Sequence, residues 1–153
     1  MIKTCFLFFG VLLLVLAAPV SAALPDVVLE QIRHDIRVIM SEKGPAPATA
    51  EVDEVCTMVV REMTESSKPL QISTADLAAF RNEKPAFSDA ELTRVMQELK
   101  KAINNKPLPH LLAYYERQRQ AGALTPKQKI LCYLLTLNLA EHSGISIPPA
   151  PKS

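Results

Sequence analysis

Tryptophan is absent from this 153-residue chain, and glycine occurs only four times and cysteine three times. Four glycines leave little material for a phosphate-cradling loop or a Gly-x-Ser-x-Gly nucleophile elbow, and neither motif occurs. Three cysteines without a Cys-x-x-Cys pair exclude a cysteine-dense mini-scaffold, a haem attachment motif and a zinc set. No His-Glu-x-x-His is present either. The chain has no sustained period-two run and no Asn-Gly or Asp-Gly hairpin signal, so no strand is predicted, and no internal repeat is found. Charge of one sign is also missing: 17 Lys and Arg face 16 Asp and Glu. That balance gives no global footprint for nucleic acid or for an anionic membrane surface.

What the chain has in quantity is apolar residues, at 48%, and proline, at 12 positions. Lys3 precedes an apolar run over residues 6–18, and Val20, Ser21 and Ala22 put small residues where a signal peptidase would cut. The expectation is a signal peptide over residues 1–22, one domain over 23–144 and a Pro-rich tail over 145–153. The apolar run falls short of the roughly 20 residues of a membrane span. Cys5 precedes it and leaves with the leader. Removing Lys3 leaves 16 charges of each sign, unevenly placed. Residues 23–66 carry 4 basic against 9 acidic groups, and residues 67–153 carry 12 against 7. An acidic half lying against a basic one explains this split, and a basic docking face is the sharper alternative.

Cys56 and Cys132 are the cysteines of the mature chain, and export predicts that they oxidise to each other; two buried free thiols are the competing expectation. The prolines divide that chain into helices. Helical spacing begins after Pro25 and Asp26, and a second helix is predicted with Thr49 as its cap. The dipeptides Lys68-Pro69, Lys84-Pro85 and Lys106-Pro107 each interrupt the pattern, because the residue before proline is pushed out of the α region. Capping boxes are predicted at Ser88 with Glu91 and at Thr125 with Gln128, the latter with Pro126 in the first helical position. The last helix is apolar nearly all round. The expected fold is all-α, an irregular or orthogonal bundle of five or six helices packed about that C-terminal helix, with one disulfide.

Glu30 and His34 share one helix face at i and i+4 without a third metal ligand, so a solvent-side pair is expected rather than a metal site. His110 and His142 are explained by their places at helix ends. Acidic pairs such as Asp89 and Glu91 sit in first turns, where the helix dipole accounts for them. Neither metal nor cofactor is implied, and no catalytic residues are identified. What remains is binding. Tyr114 followed by Arg117 and Arg119 forms a candidate aromatic and basic recognition patch, with Tyr115 inward and Glu116 outward. Met40, Met58, Met63 and Met96 are either core fillers or the lining of an adaptable apolar groove. The expected function is that of an exported, non-enzymatic protein that binds an unknown protein partner in the periplasm or outside the cell. The alternative is a carrier of a small apolar ligand among the fourth, fifth and sixth helices.

Overall fold

The computed structural model describes residues 24–64, 70, 72–104 and 106–148. The leader expected over residues 1–22 and the end of the tail, 149–153, lie outside them. The described residues form six helices: α1 (Asp26–Ser41), α2 (Thr49–Thr64), α3 (Thr74–Arg81), α4 (Asp89–Ala102), α5 (His110–Gln120) and α6 (Pro126–His142). They contain no strand and no helix long and apolar enough to cross a membrane.

Local chemistry sets the boundaries. Thr125 and Gln128 close the capping box predicted for α6, with Pro126 in its first turn. Ser73 and Asp76 form another at α3. Two expectations need correction. The Ser88 hydroxyl accepts from the Glu91 N–H at 3.2 Å, but the Glu91 carboxylate turns away to grip the Arg94 guanidinium at 2.7 and 2.8 Å, so the box is half made. Thr49 does not cap α2 but is its first residue; the backbone N–H of Ala48 donates to the Glu51 carboxylate at 3.0 Å. Gly122, at φ +67°, ends α5 and lets the Ala123 N–H reach back to the Gln118 carbonyl at 2.8 Å. The same closure ends α3 with Glu83 at φ 54°, just before the Lys84-Pro85 interruption.

Packing is organised by α6, which touches α2, α3, α4 and α5, while α1 lies on α2 and α5. The apolar all-round character of α6 is thereby explained: Ile130, Leu131, Cys132 and Leu135 are all buried in one core with Phe80, Leu92, Leu99 and Leu112. Past α6, Ile145 and Ile147 pack on this core and Arg94 donates to the Pro148 carbonyl at 2.7 Å, so the described start of the tail is docked on α4.

The expected disulfide is not formed: Cys56 and Cys132 are both free and buried. Helical spacing put each on an apolar face, but those faces look different ways. Cys132 lies against Met96 of α4, its Sγ 3.8 Å from the thioether sulfur, whereas Cys56 lies in the field of Arg33 and Asp53 at the seam of α1 and α2. The burial of each thiol is that of a small core residue. Unfolding the chain without reductant should expose two alkylatable thiols at Cys56 and Cys132, read as two mass adducts by peptide mapping. A bridged pair would yield none.

Candidate functional site

Periodicity placed Tyr114 on the surface of α5, and the structure buries it at 5% exposure beside the fully buried Tyr115. Glu116, expected outside, is also buried. Its carboxylate accepts from Arg119 at 2.7 and 3.1 Å, from Gln120 at 2.9 Å and from Lys100 at 3.2 Å. Burial alone would raise its pKa; these donors, Arg119 foremost, outweigh it and hold the carboxyl below its usual range. Arg119 spends its remaining reach on the Thr93 hydroxyl at 2.9 Å. Of the three candidate residues only Arg117 is exposed, and it pairs with Glu42 at 3.7 Å and lies 6.0 Å above the Tyr114 ring. Tyr114, Arg117 and Arg119 are therefore not assembled into one exposed patch.

A polar centre that the sequence did not disclose lies where α1, α5 and α6 meet. Asp35 is fully buried among Ile32, Ile36 and Leu112, and its carboxyl accepts from the Tyr115 hydroxyl at 2.6 Å, the Gln128 amide at 2.9 Å and the Gln31 amide at 3.1 Å. No donor of the three is charged. Burial, followed by the adjacent Asp35 carboxyl, pushes the Tyr115 hydroxyl well above its ordinary 10. Gln128 also serves the α6 cap, since its carbonyl oxygen accepts from the Thr125 N–H at 3.0 Å. An aspartate within an otherwise apolar helical stripe, Ile32-x-x-Asp35-Ile36, is the only hint the sequence offers. The arrangement is closed to solvent and structural in character.

The open site lies past Asp35, toward the end of α1. Ile36, Ile39 and Met40 of α1 face Val55, Met58 and Val59 of α2 across a groove of about 300 Å³. His110 and Leu111 at the start of α5 close one side of it. Its lining contains a single carboxylate, that of Glu62. Met58 is 50% exposed, an unusual position for a large apolar side chain. Met58, set among Glu54, Arg61 and Glu62, is the signal in the sequence that α2 is apolar over a wider arc than packing requires. Met40 and Met58 do line a groove, whereas Met63 and Met96 are buried core. The region among α4, α5 and α6, where a ligand cavity was expected, holds a smaller notch of about 120 Å³ bordered by Asp89, Thr93, Arg119 and Lys129.

His34 and Glu30 do not pair into a site: Glu30 accepts from Arg33 at 2.7 Å, and Arg33 continues to Asp53 of α2 at 2.9 Å. Among the described residues no group of three or more His, Cys, Asp or Glu is placed to hold a metal ion. The chain matches no protein-family model, no curated protein and no solved structure.

Two predictions follow from the buried groups. Tyr115→Phe leaves the enclosed Asp35 carboxyl one donor short and should cost about 1–3 kcal/mol in urea unfolding, while Asp35→Ala, which strands the Tyr115 hydroxyl and the Gln128 amide together, should cost more. Equal stability of Tyr115→Phe and the parent would show that the carboxyl does not need the phenol. Alkali should also unfold the protein. Burial raises the Cys132 thiol from 9.0 to about 12, so between those values the unfolded chain gives up a proton that the folded chain keeps. Stability present in full below pH 9 is lost as pH rises through that window, with Tyr115 adding in the same sense above pH 10. The urea midpoint should fall across this range and fall less in Cys132→Ala; a flat profile would contradict it.

Proposed function

We propose that this chain is an exported, non-catalytic binding protein, and that it holds another protein in the groove between α1 and α2. The observation that carries this reading is the groove itself: an open, apolar cleft at the joint of three helices, with Met58 half exposed at its edge. Exposed apolar surface costs stability and solubility in a protein of nearly zero net charge, and its retention is explained when a partner covers it. Methionines suit such a surface because their flexible, polarisable side chains adapt to a partner's shape. The leader-like residues 1–22 support export, and free thiols at 56 and 132 are compatible with it because both are buried and inert.

This places the binding element in the acidic half of the chain rather than on the basic face of α5, whose Arg119 is held by Glu116. A photo-crosslinking residue at Met58, with a control at exposed Arg81 of α3, tests the proposal in cells that export the protein. Defined protein adducts at position 58 and none at 81 are expected. Adducts of small-molecule mass at 58 would favour the apolar-ligand carrier instead, and equal labelling at both positions would overturn the groove as a binding element.

A further inference from the structure

Taking the groove as the binding element, we infer that its occupant is a cationic amphipathic helix of the partner protein, seated with its apolar stripe between α1 and α2 and its basic flank along α2. The shape comes first. The lining residues span from one to about two turns on each of two adjacent helices, Ile36 to Met40 and Val55 to Glu62, and the cleft between them is open to solvent, with His110 and Leu111 of α5 closing one side. A cleft of about 300 Å³ between two helices accepts a few large apolar side chains projecting from one face of a third helix, at i, i+3 or i+4 and i+7.

Charge decides which helix. Glu62 lies in the lining and makes no ion pair among the described residues. The exposed residues Glu51 and Glu54 lie on the same helix. Residues 24–64 hold eight acidic groups against four basic ones. Of those four, Arg33 is committed to Glu30 and Asp53, Arg61 is engaged, and Arg37 and Lys43 do not line the groove. A helix flanked by Lys or Arg would find in Glu62 a counter-charge at the edge of an apolar seat, and a helix flanked by acids would meet repulsion there. The remaining polar lining group, His110, sits on α5 and adds no carboxylate.

The test uses the full chain and fluorescently labelled peptides of about four helical turns with one leucine stripe, flanked by Lys, by Gln or by Glu, read by fluorescence anisotropy. The Lys-flanked peptide should bind, and bind more tightly than the Gln-flanked one, with the Glu-flanked one weakest and the differences shrinking as salt rises. Met58→Gln should weaken all binding by about tenfold through the lost apolar contact. Glu62→Gln should weaken the Lys-flanked peptide by about threefold and leave the Gln-flanked peptide unchanged. Both residues carry exposed side chains, and circular dichroism checks that the variants keep their helices. Equal affinity for Lys- and Glu-flanked peptides, or indifference to Glu62→Gln, overturns the cationic helix while leaving protein binding in the groove standing. Failure of every peptide together with a small-molecule adduct at position 58 overturns both.

Discussion

A carboxyl group enclosed in an apolar core must be given its hydrogen bonds or the fold does not form, and Asp35 imposes that requirement on three helices together. Its donors come from one turn before it on α1, from the middle of α5 and from the first turn of α6. Hydrophobic contacts tolerate small slides between helices; a 2.6 Å bond from Tyr115 and a 2.9 Å bond from Gln128 do not. Gln128 tightens the constraint further because its two ends are both used, the oxygen on the Thr125 N–H and the nitrogen on Asp35. The amide orientation is fixed by this pairing, so the cap of α6 and the seating of α1 are one structural unit.

The groove depends on that unit. With Asp35 tied to α5 and α6, the next residue, Ile36, and the last turn of α1 are held where they are, and α2 is positioned by different ties. Arg33 bridges to Asp53 on α2, and the Asn138 amide of α6 donates to the Met63 carbonyl near the end of α2. Between these two fixings Val55, Met58 and Val59 have no such tie to α1, and the space between the helices stays open at Ile39 and Met40. The cleft thus lies between helices fixed at Asp35 and Asp53 and is lined by the adaptable side chains of Met40 and Met58, a combination that would lower the ordering cost of receiving the proposed partner.

The helices were legible because their signals are local. Thr125-Pro126-x-Gln128 writes the start of α6 within four residues, and Lys84-Pro85 and Lys106-Pro107 mark interruptions through the backbone of one residue, while Lys68-Pro69 lies outside the described residues. The pairing of Cys56 with Cys132 was not legible, because two apolar faces can each be buried without facing each other; direction around the helix axis is settled only by packing. Tyr114 and Glu116 were misplaced for a related reason. The first two turns of α5 are enclosed on most sides, burying Leu111, Leu112, Tyr114, Tyr115 and Glu116, and a glutamate is admitted there only because Arg119, Lys100 and Gln120 converge on it. Hydrophobic periodicity assumes that a charged side chain seeks water, and a fully partnered one need not. The place of the groove was not legible for the opposite reason: Met40 and Met58 could be named as lining for one, but a groove is a gap, and sequence patterns record which residues are apolar but not where two apolar stripes fail to meet.

The charge split also takes on a different meaning in three dimensions. An acidic half neutralised by a basic one would be laced by ion pairs between them; Arg117 and Glu42 make such a pair, and at 3.7 Å it is loose. The basic half instead neutralises its own acids: Arg94 holds Glu91, Arg119 holds Glu116, Lys101 holds Glu98 and Lys129 holds Asp89. The exposed pairs among these add little stability, but all of them occupy cations that a basic docking face would need. On α2 the situation is reversed, for Glu54 and Glu62 have no cation committed to them among the described residues. The positive charge of the basic half is thus spread over a surface that answers most of its own charges, while Glu62 brings a carboxylate to the lining of the apolar cleft. In the proposed complex that carboxylate would meet the partner's cation while the apolar walls meet its apolar face.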